Sequence, residues 1–258
     1  MEQLDTEQLI KTAKHYQVRG QHEDALRTYQ DALAIDPKCS EALHDLGMIH
    51  FRSGEISMAI TLLKEATKYD DRRADFYNNL GTILKTSGDL DAAEKAFRKA
   101  LTLDRNLVPA LVNIGSLLLD RLQVAAALKA LNRAVDLAPE NSTALSTYAE
   151  AKKTSGDVVE ALSLQLQAAE TNPLADFVWL NLANTHMDLE QWDESYLAVK
   201  KSIIISPHLS ESWNNLGFIK INYGEFLLAK RYFIQALIIR NNFAPSYSGL
   251  AEVNYLQN

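Results

Sequence analysis

The chain has 258 residues, of which 47% are hydrophobic, and its formal net charge is −7 at pH 7. This acidic balance argues against nucleic-acid binding, which needs clustered Lys and Arg. Apolar runs such as Ile203-Ile204-Ile205 are far shorter than the roughly 20 residues that cross a bilayer, and the N-terminal sequence does not resemble a secretory signal. The single cysteine, Cys39, cannot form an internal disulfide. We therefore expect a cytoplasmic protein that does not insert into membranes.

Glycines and prolines recur along the chain with a period of 34 residues, and no insertion or deletion interrupts the series. With Thr6 as position one, this period predicts a leader of residues 1–5 and a tandem array of seven repeats. The repeats are 6–39, 40–73, 74–107, 108–141, 142–175, 176–209 and 210–243. Residues 244–258 would form a partial eighth repeat or a capping helix.

Each repeat predicts two helices joined by a tight turn. Large residues at position four and small ones at position eight share one face of the first helix, and the third repeat has Tyr77 and Gly81 there. Glycine at position fifteen suits a left-handed turn between the helices. A second stripe at positions twenty, twenty-four and twenty-seven, such as Ala93, Phe97 and Ala100, predicts the matching face of the second helix. Proline at position thirty-two ends that helix in several repeats.

The middle repeats depart most from this pattern. Leu122 and Glu190 replace the turn glycine in the fourth and sixth repeats. Polar or small polar residues also stand at usually apolar or alanine positions of the fifth and sixth repeats, namely Lys152, Gln165, Ser195 and Ser202. We therefore expect the fifth and sixth repeats to be the loosest part of the array.

This 34-residue pattern of Trp or Leu, Gly, Ala, Phe, Ala and Pro resembles the tetratricopeptide repeat over nearly the whole chain. The resemblance implies an all-α fold, a right-handed α-solenoid superhelix of seven helix–turn–helix repeats plus a terminal helix. It also implies that the first helices line a concave groove that binds other proteins.

Position six is rotated by about 200° from buried position four, at roughly 100° per residue, and so points away from the helix pair's own core. Asparagine fills it in four of the eight repeats, as Asn79, Asn113, Asn181 and Asn215. An amide both donates and accepts, so this row resembles the asparagine ladder of O-linked N-acetylglucosamine transferases, which holds substrate polypeptides. Three neighbours could contribute to the same peptide-binding site: Asn78, Asn184 and Asn214.

Two other interpretations of this row stay open. The asparagines could be repeat consensus without a ligand, or they could bond the neighbouring repeat and stiffen the groove. The two-carboxylate clamp of chaperone-binding repeats needs lysines at positions five and two, and this chain has none at either.

The sequence contains no phosphate-binding loop, nucleophile elbow or paired cysteines, so we expect no enzymatic activity, cofactor or metal. The leading hypothesis is a scaffold or adaptor that binds an extended peptide segment of a partner. The alternatives are the substrate-targeting region of a larger enzyme, such as a glycosyltransferase, or a self-assembling structural scaffold.

The predicted terminal helix lacks a second helix to pair with. Tyr247, Leu250 and Ala251 are expected at its core positions, whereas the preceding repeat does not cover all of Val253, Tyr255 and Leu256. The helix is either a cap that tucks most of these side chains inward, or an end that is covered by another part of the native protein or by a second copy in a homo-oligomer.

Overall fold

The computed structural model describes residues 5–257, and within this range the chain forms fifteen α-helices and no β-strand. The predicted all-α repeat array is thus confirmed. Residues 1–4 of the predicted leader and Asn258 lie outside the described residues.

The chain divides into two compact units, residues 1–121 and 122–258, and the division falls inside the predicted fourth repeat. Unit 1 contains α1 (Thr6–Val18), α2 (His22–Ile35), α3 (Ser40–Arg52), α4 (Ile56–Tyr69), α5 (Ala74–Thr86), α6 (Leu90–Leu103) and α7 (Val108–Asp120). Unit 2 contains α8 (Val124–Leu137), α9 (Ser142–Thr154), α10 (Val158–Thr171), α11 (Asp176–Asp188), α12 (Trp192–Ile205), α13 (Ser210–Asn222), α14 (Phe226–Ile239) and α15 (Ala244–Leu256).

The turns between paired helices adopt one backbone conformation whether or not they contain glycine. The five glycines at position fifteen have φ between 72° and 94°. Leu122 and Glu190, which replace glycine there, have φ of 59° and 57°. Leu122 and Glu190 therefore adopt a left-handed conformation that residues with a Cβ disfavour.

Glycine at position eight allows the two helices of a repeat to approach closely. A Cβ at Gly81 would lie 2.6 Å from the ring of Phe97, and one at Gly217 would lie 2.4 Å from the ring of Phe233. Both rings are fully buried. The large aromatic residue on the second helix thus fills the space that the missing side chain leaves on the first.

Second helices end at the same register with or without the predicted proline. Pro37 follows α2, whereas α4 and α6 lack a proline at this position. After α4 the Asp70 carboxylate accepts the Arg72 backbone N–H at 3.2 Å, and after α6 the Asp104 carboxylate accepts that of Asn106 at 2.9 Å. These side chains offer the backbone a turn in place of further helix.

The polar residues in the fifth and sixth repeats have bonding partners. Gln165, buried at the position that Phe97 holds in the third repeat, accepts from the Ser146 hydroxyl at 2.7 Å. The Ser195 hydroxyl donates to the Ala183 carbonyl at 3.0 Å. These bonds offset the cost of burial but supply less apolar contact than the residues they replace.

The prediction of which residues of the terminal helix α15 are buried was partly wrong. Tyr247 is 55% exposed and Ala251 is also exposed, whereas Val253 is fully buried. In complete repeats a second helix covers positions four and eight, and here no described helix does so. The buried side of α15 instead faces Phe233 on α14, where a Cβ at Gly249 would lie 2.3 Å from the ring.

Glu190→Gly should raise the free energy of unfolding by roughly 1 kcal/mol, because it removes the strain of a left-handed Glu at a position where five of the other six turns have glycine. Thermal denaturation followed by circular dichroism measures this change. Glu190→Ala is the matched control, since it removes the side-chain carboxylate but keeps a Cβ. A Tm rise of equal size in both variants would contradict the strain argument.

Amides of α9–α12 should exchange with solvent before those of α13 and α14, because polar pairs replace apolar contacts in the fifth and sixth repeats. Hydrogen exchange followed by mass spectrometry, with peptides from each helix, resolves the order. Equal protection in α9–α14 would show that the polar pairs stabilise these repeats as well as apolar packing does.

Candidate functional site

First helices of successive repeats contact one another within each unit, as α5 contacts α7 in unit 1 and as α9, α11, α13 and α15 do in sequence in unit 2. The side of these helices that carries positions five, six and nine is called the first-helix face below. It contains all seven asparagines of the predicted peptide-binding site.

In unit 1 the asparagines at position six form hydrogen bonds with side chains of the preceding repeat. The Asn79 side-chain nitrogen Nδ2 donates to His44 Nε2 at 2.9 Å. Asn113 Nδ2 donates both to Asn78 Oδ1 at 2.9 Å and to Thr82 Oγ1 at 3.2 Å. Position six therefore lies at the contact between repeats.

Unit 2 repeats this arrangement. Asn181 Nδ2 donates to Ser146 Oγ at 3.4 Å, and Asn215 Nδ2 donates to Asn184 Oδ1 at 2.6 Å. One step further along, the Ser246 hydroxyl donates to Asn214 Oδ1 at 2.9 Å. Asn184 and Asn214, predicted as contributors to peptide binding, thus accept hydrogen bonds from the following repeat, as Asn78 does in unit 1.

The structure shows the neighbour-bonding arrangement that the sequence left open, yet it also leaves acceptors available. Among residues 5–257, Oδ1 of Asn113, Asn181 and Asn215 accepts no hydrogen bond from the protein. None of these oxygens is completely buried, although Asn215 as a whole is only 9% exposed. Asn79 differs, because its Oδ1 accepts from Asn78 Nδ2 at 3.3 Å. The predicted use of donor and acceptor together does not fit Asn113, whose Nδ2 already has two acceptors.

The beginning of the row in unit 1 contains an ionic and aromatic cluster that sequence reasoning missed. Asp45, at position six, accepts from the Tyr29 hydroxyl at 3.0 Å and contacts His44 Nδ1 at 2.8 Å. The His44 ring stacks on Phe76 with centroids 4.3 Å apart. The adjacent His and Asp at positions five and six were the available signal.

Electrostatic interactions stabilise this cluster. Burial raises the pKa of the Tyr29 hydroxyl, and the nearby Asp45 carboxylate raises it further. Hydrogen bonding to Glu41 raises the pKa of Lys14, whose ammonium also lies 3.8 Å from Asp45. Both groups keep their protons at neutral pH, so this end of the face is internally paired.

Two further findings concern metal binding and membrane-spanning helices. No group of three or more His, Cys, Asp or Glu in residues 5–257 is placed to hold a metal ion. Over the same range, every helix is too short or too polar to span a bilayer.

The paired helices, the 34-residue register and the polar contacts between first helices define a helical repeat protein. Three family models, each described as tetratricopeptide repeat, match residues 19–81, 74–107 and 112–176. The chain belongs to the tetratricopeptide-repeat family, whose members generally mediate protein–protein interactions. No protein of curated function matches the sequence.

Several solved structures share the fold. A tetratricopeptide repeat protein from Parabacteroides merdae is 17% identical with a TM-score of 0.77, and the match covers 96% of this chain and 98% of that one. A chain of the APC/C hetero-tetramer Cut9–Hcn1 is 14% identical with a TM-score of 0.80, and 97% of this chain spans about half, 53%, of that one. PilF of Pseudomonas aeruginosa is 18% identical with a TM-score of 0.67, covering 84% of this chain and 98% of that one. At these identities the similarity shows the fold alone.

Proposed function

We propose that the chain is a non-catalytic scaffold or adaptor that binds an extended segment of a partner protein on its first-helix face. The observation that carries this proposal is the set of asparagine oxygens without a protein partner, Oδ1 of Asn113, Asn181 and Asn215. They recur on successive first helices in unit 2 and again in unit 1.

The bonds between repeats favour this use of the oxygens. Each Nδ2 is held by an acceptor on the preceding repeat, so the amide plane is fixed before any ligand arrives. A fixed acceptor loses little conformational entropy on binding, which improves affinity. An extended peptide offers backbone N–H groups that such oxygens accept, and recognition of this kind depends little on the ligand's side chains.

The C-terminal helix supports a second proposal, association of two copies of the chain through α15. Tyr255 is 82% exposed, and Tyr247 and Leu256 are also exposed. Within α15 the only charged residue is Glu252, so two copies of this surface meet with little charge repulsion.

The double variant Asn181→Ala, Asn215→Ala should bind peptides about ten-fold more weakly, because each lost neutral hydrogen bond contributes about 0.5–1.5 kcal/mol. Peptides of unrelated sequence, selected from a random library on the whole chain, serve as probes in fluorescence anisotropy. The loss should be similar for probes of different sequence, because the bonds are to backbone.

Asn184→Ala is the matched control for this prediction. It removes the acceptor of Asn215 Nδ2, and with it a bond between repeats, but it leaves the Asn215 oxygen in place. Only the fixed orientation of one oxygen is lost, so binding should weaken by no more than about three-fold, clearly less than in the double variant. Equal losses in the control and the double variant would assign the asparagines to repeat packing alone, and unchanged affinity in both would remove them from the site.

Tyr255→Glu with Leu256→Glu should convert a concentration-dependent dimer into a monomer, since it adds charge to the exposed side of α15. Light scattering over a range of protein concentrations measures the molecular mass. Val159→Glu, at a similarly exposed apolar residue on α10, is the control and should leave the dimer intact. A monomer at all concentrations for the original chain would show that α15 is a cap.

A further inference from the structure

The second helices of unit 2 carry a surface that the proposed peptide site does not use. Exposed aliphatic side chains recur on α12 and α14, and Ile204 has 76% of its surface exposed. The others on these helices are Leu197, Leu227, Ile234 and Ile238. They lie on the side of the second helices that no described helix covers.

Two crevices flank Ile204. One, of about 210 Å³, is walled by Tyr196, Trp213 and Tyr232. The other, of about 250 Å³, is walled by Pro173 and Trp179. Each is wide enough for one apolar side chain, and Ile204 forms the ridge between them.

Hydrogen bonds hold the tryptophan rings in place. Trp179 Nε1 donates to the Pro173 carbonyl and Trp213 Nε1 to the Pro207 carbonyl, both at 2.8 Å. Their polar atoms are thus satisfied within the protein, and the rings offer apolar surface. The Trp213 ring also contacts that of Tyr232, with centroids 5.9 Å apart.

The charge on this surface is positive although the chain is acidic. Between Trp192 and Phe243 the chain has six basic and four acidic residues. Of the acidic ones, Glu211 and Glu225 pair at 2.8 Å with Arg240 and Lys220 respectively, Asp193 accepts from the Tyr223 hydroxyl, and Glu194 lies beside it in the first turn of α12. Four cations on α12 and α14 form no ion pair with a carboxylate in the described part of the chain: Lys200, Lys201, Lys230 and Arg231.

Two of these cations border the crevices. Lys200 lines the crevice of Trp213 and Lys201 lines that of Trp179. The Lys201 ammonium lies 3.9 Å from the centre of the Trp179 ring, a contact that keeps the charge beside the crevice. Each crevice therefore combines aromatic walls with an unpaired ammonium.

We propose that this surface of α12 and α14 is a second docking site, for an acidic segment of a partner protein that carries aliphatic or aromatic side chains. The apolar side chains enter the two crevices on either side of Ile204. Carboxylates of the same segment pair with Lys200 and Lys201 and match the positive charge of the surface. Discrete aromatic-walled crevices favour a polypeptide with separate side chains over a lipid surface, which meets a continuous apolar face.

Selection of peptides from a random library on the Asn181→Ala, Asn215→Ala chain tests this site with binding to the first-helix face weakened. Selected peptides should be enriched in Asp or Glu together with Leu, Phe or Trp. Their affinity should fall about ten-fold or more in Ile204→Ser and in Lys200→Gln with Lys201→Gln, and it should weaken as salt is raised. Selection without acidic enrichment, or selected peptides that bind these variants as before, would overturn the proposal.

Matched controls use the same chemistry elsewhere on the chain. Val159→Ser changes an apolar side chain on α10 that is 75% exposed, and Lys95→Gln with Lys99→Gln removes two exposed cations from α6. Both should retain peptide affinity within about two-fold. Mixed phosphatidylcholine–phosphatidylserine vesicles that bind in place of the peptides, with the same dependence on Ile204, would assign the surface to a membrane. A dimer that Ile204→Ser dissolves would assign it to a second copy. Either result would replace the acidic segment as occupant.

Discussion

The close contact between positions eight and twenty-four governs the rest of the structure. A helix pair of 34 residues has little interior of its own, so the two helices must approach until a side chain on one fills the space above a glycine or alanine on the other. That side chain is aromatic in three of the seven repeats, as Tyr29, Phe97 and Phe233. The ring of Phe97 over Gly81 and that of Phe233 over Gly217 show this contact. Because it fixes the angle within a pair, it also fixes which sides remain for the neighbouring repeat and which stay open.

The contacts between successive repeats are partly polar. On the first-helix face, asparagine, serine and histidine side chains link successive repeats, and ion pairs such as Lys85–Asp120 and Lys153–Asp188 add to them at 2.8 and 3.3 Å. Directional bonds of this kind set the register of neighbours, whereas the apolar contacts supply most of the free energy. Among residues 5–257 no comparable row of hydrogen bonds links one second helix to the next, and the aliphatic side chains of α12 and α14 are exposed.

The helices could be predicted from the sequence because each position in the 34-residue period has one physical role. A glycine at position fifteen predicts a turn, and Leu122 and Glu190 still adopt its left-handed conformation. At Glu190 the packing of α11 against α12 outweighs the preference of the side chain. The site was harder to predict. The rotation of about 100° per residue predicts that Asn113 points away from the core of its own helix pair. It does not reveal that Asn78 and Thr82 of the preceding repeat accept hydrogen bonds from its amide. The terminal helix was misjudged for the same reason, since Tyr247 is buried only if a second helix lies over it.

In Asn113, Asn181 and Asn215 the two ends of the side-chain amide have different constraints. The nitrogen joins neighbouring repeats and the oxygen is the proposed ligand acceptor, so a substitution that removes the oxygen also removes the bond between repeats. A lineage that acquires a new ligand would therefore change residues beside the row, where side chains touch only solvent, before it changes the row itself. Recognition of the ligand's backbone would persist while preference for its side chains drifts. On the proposed function, the shared amide would separate a slowly evolving part of the surface from a rapidly evolving one.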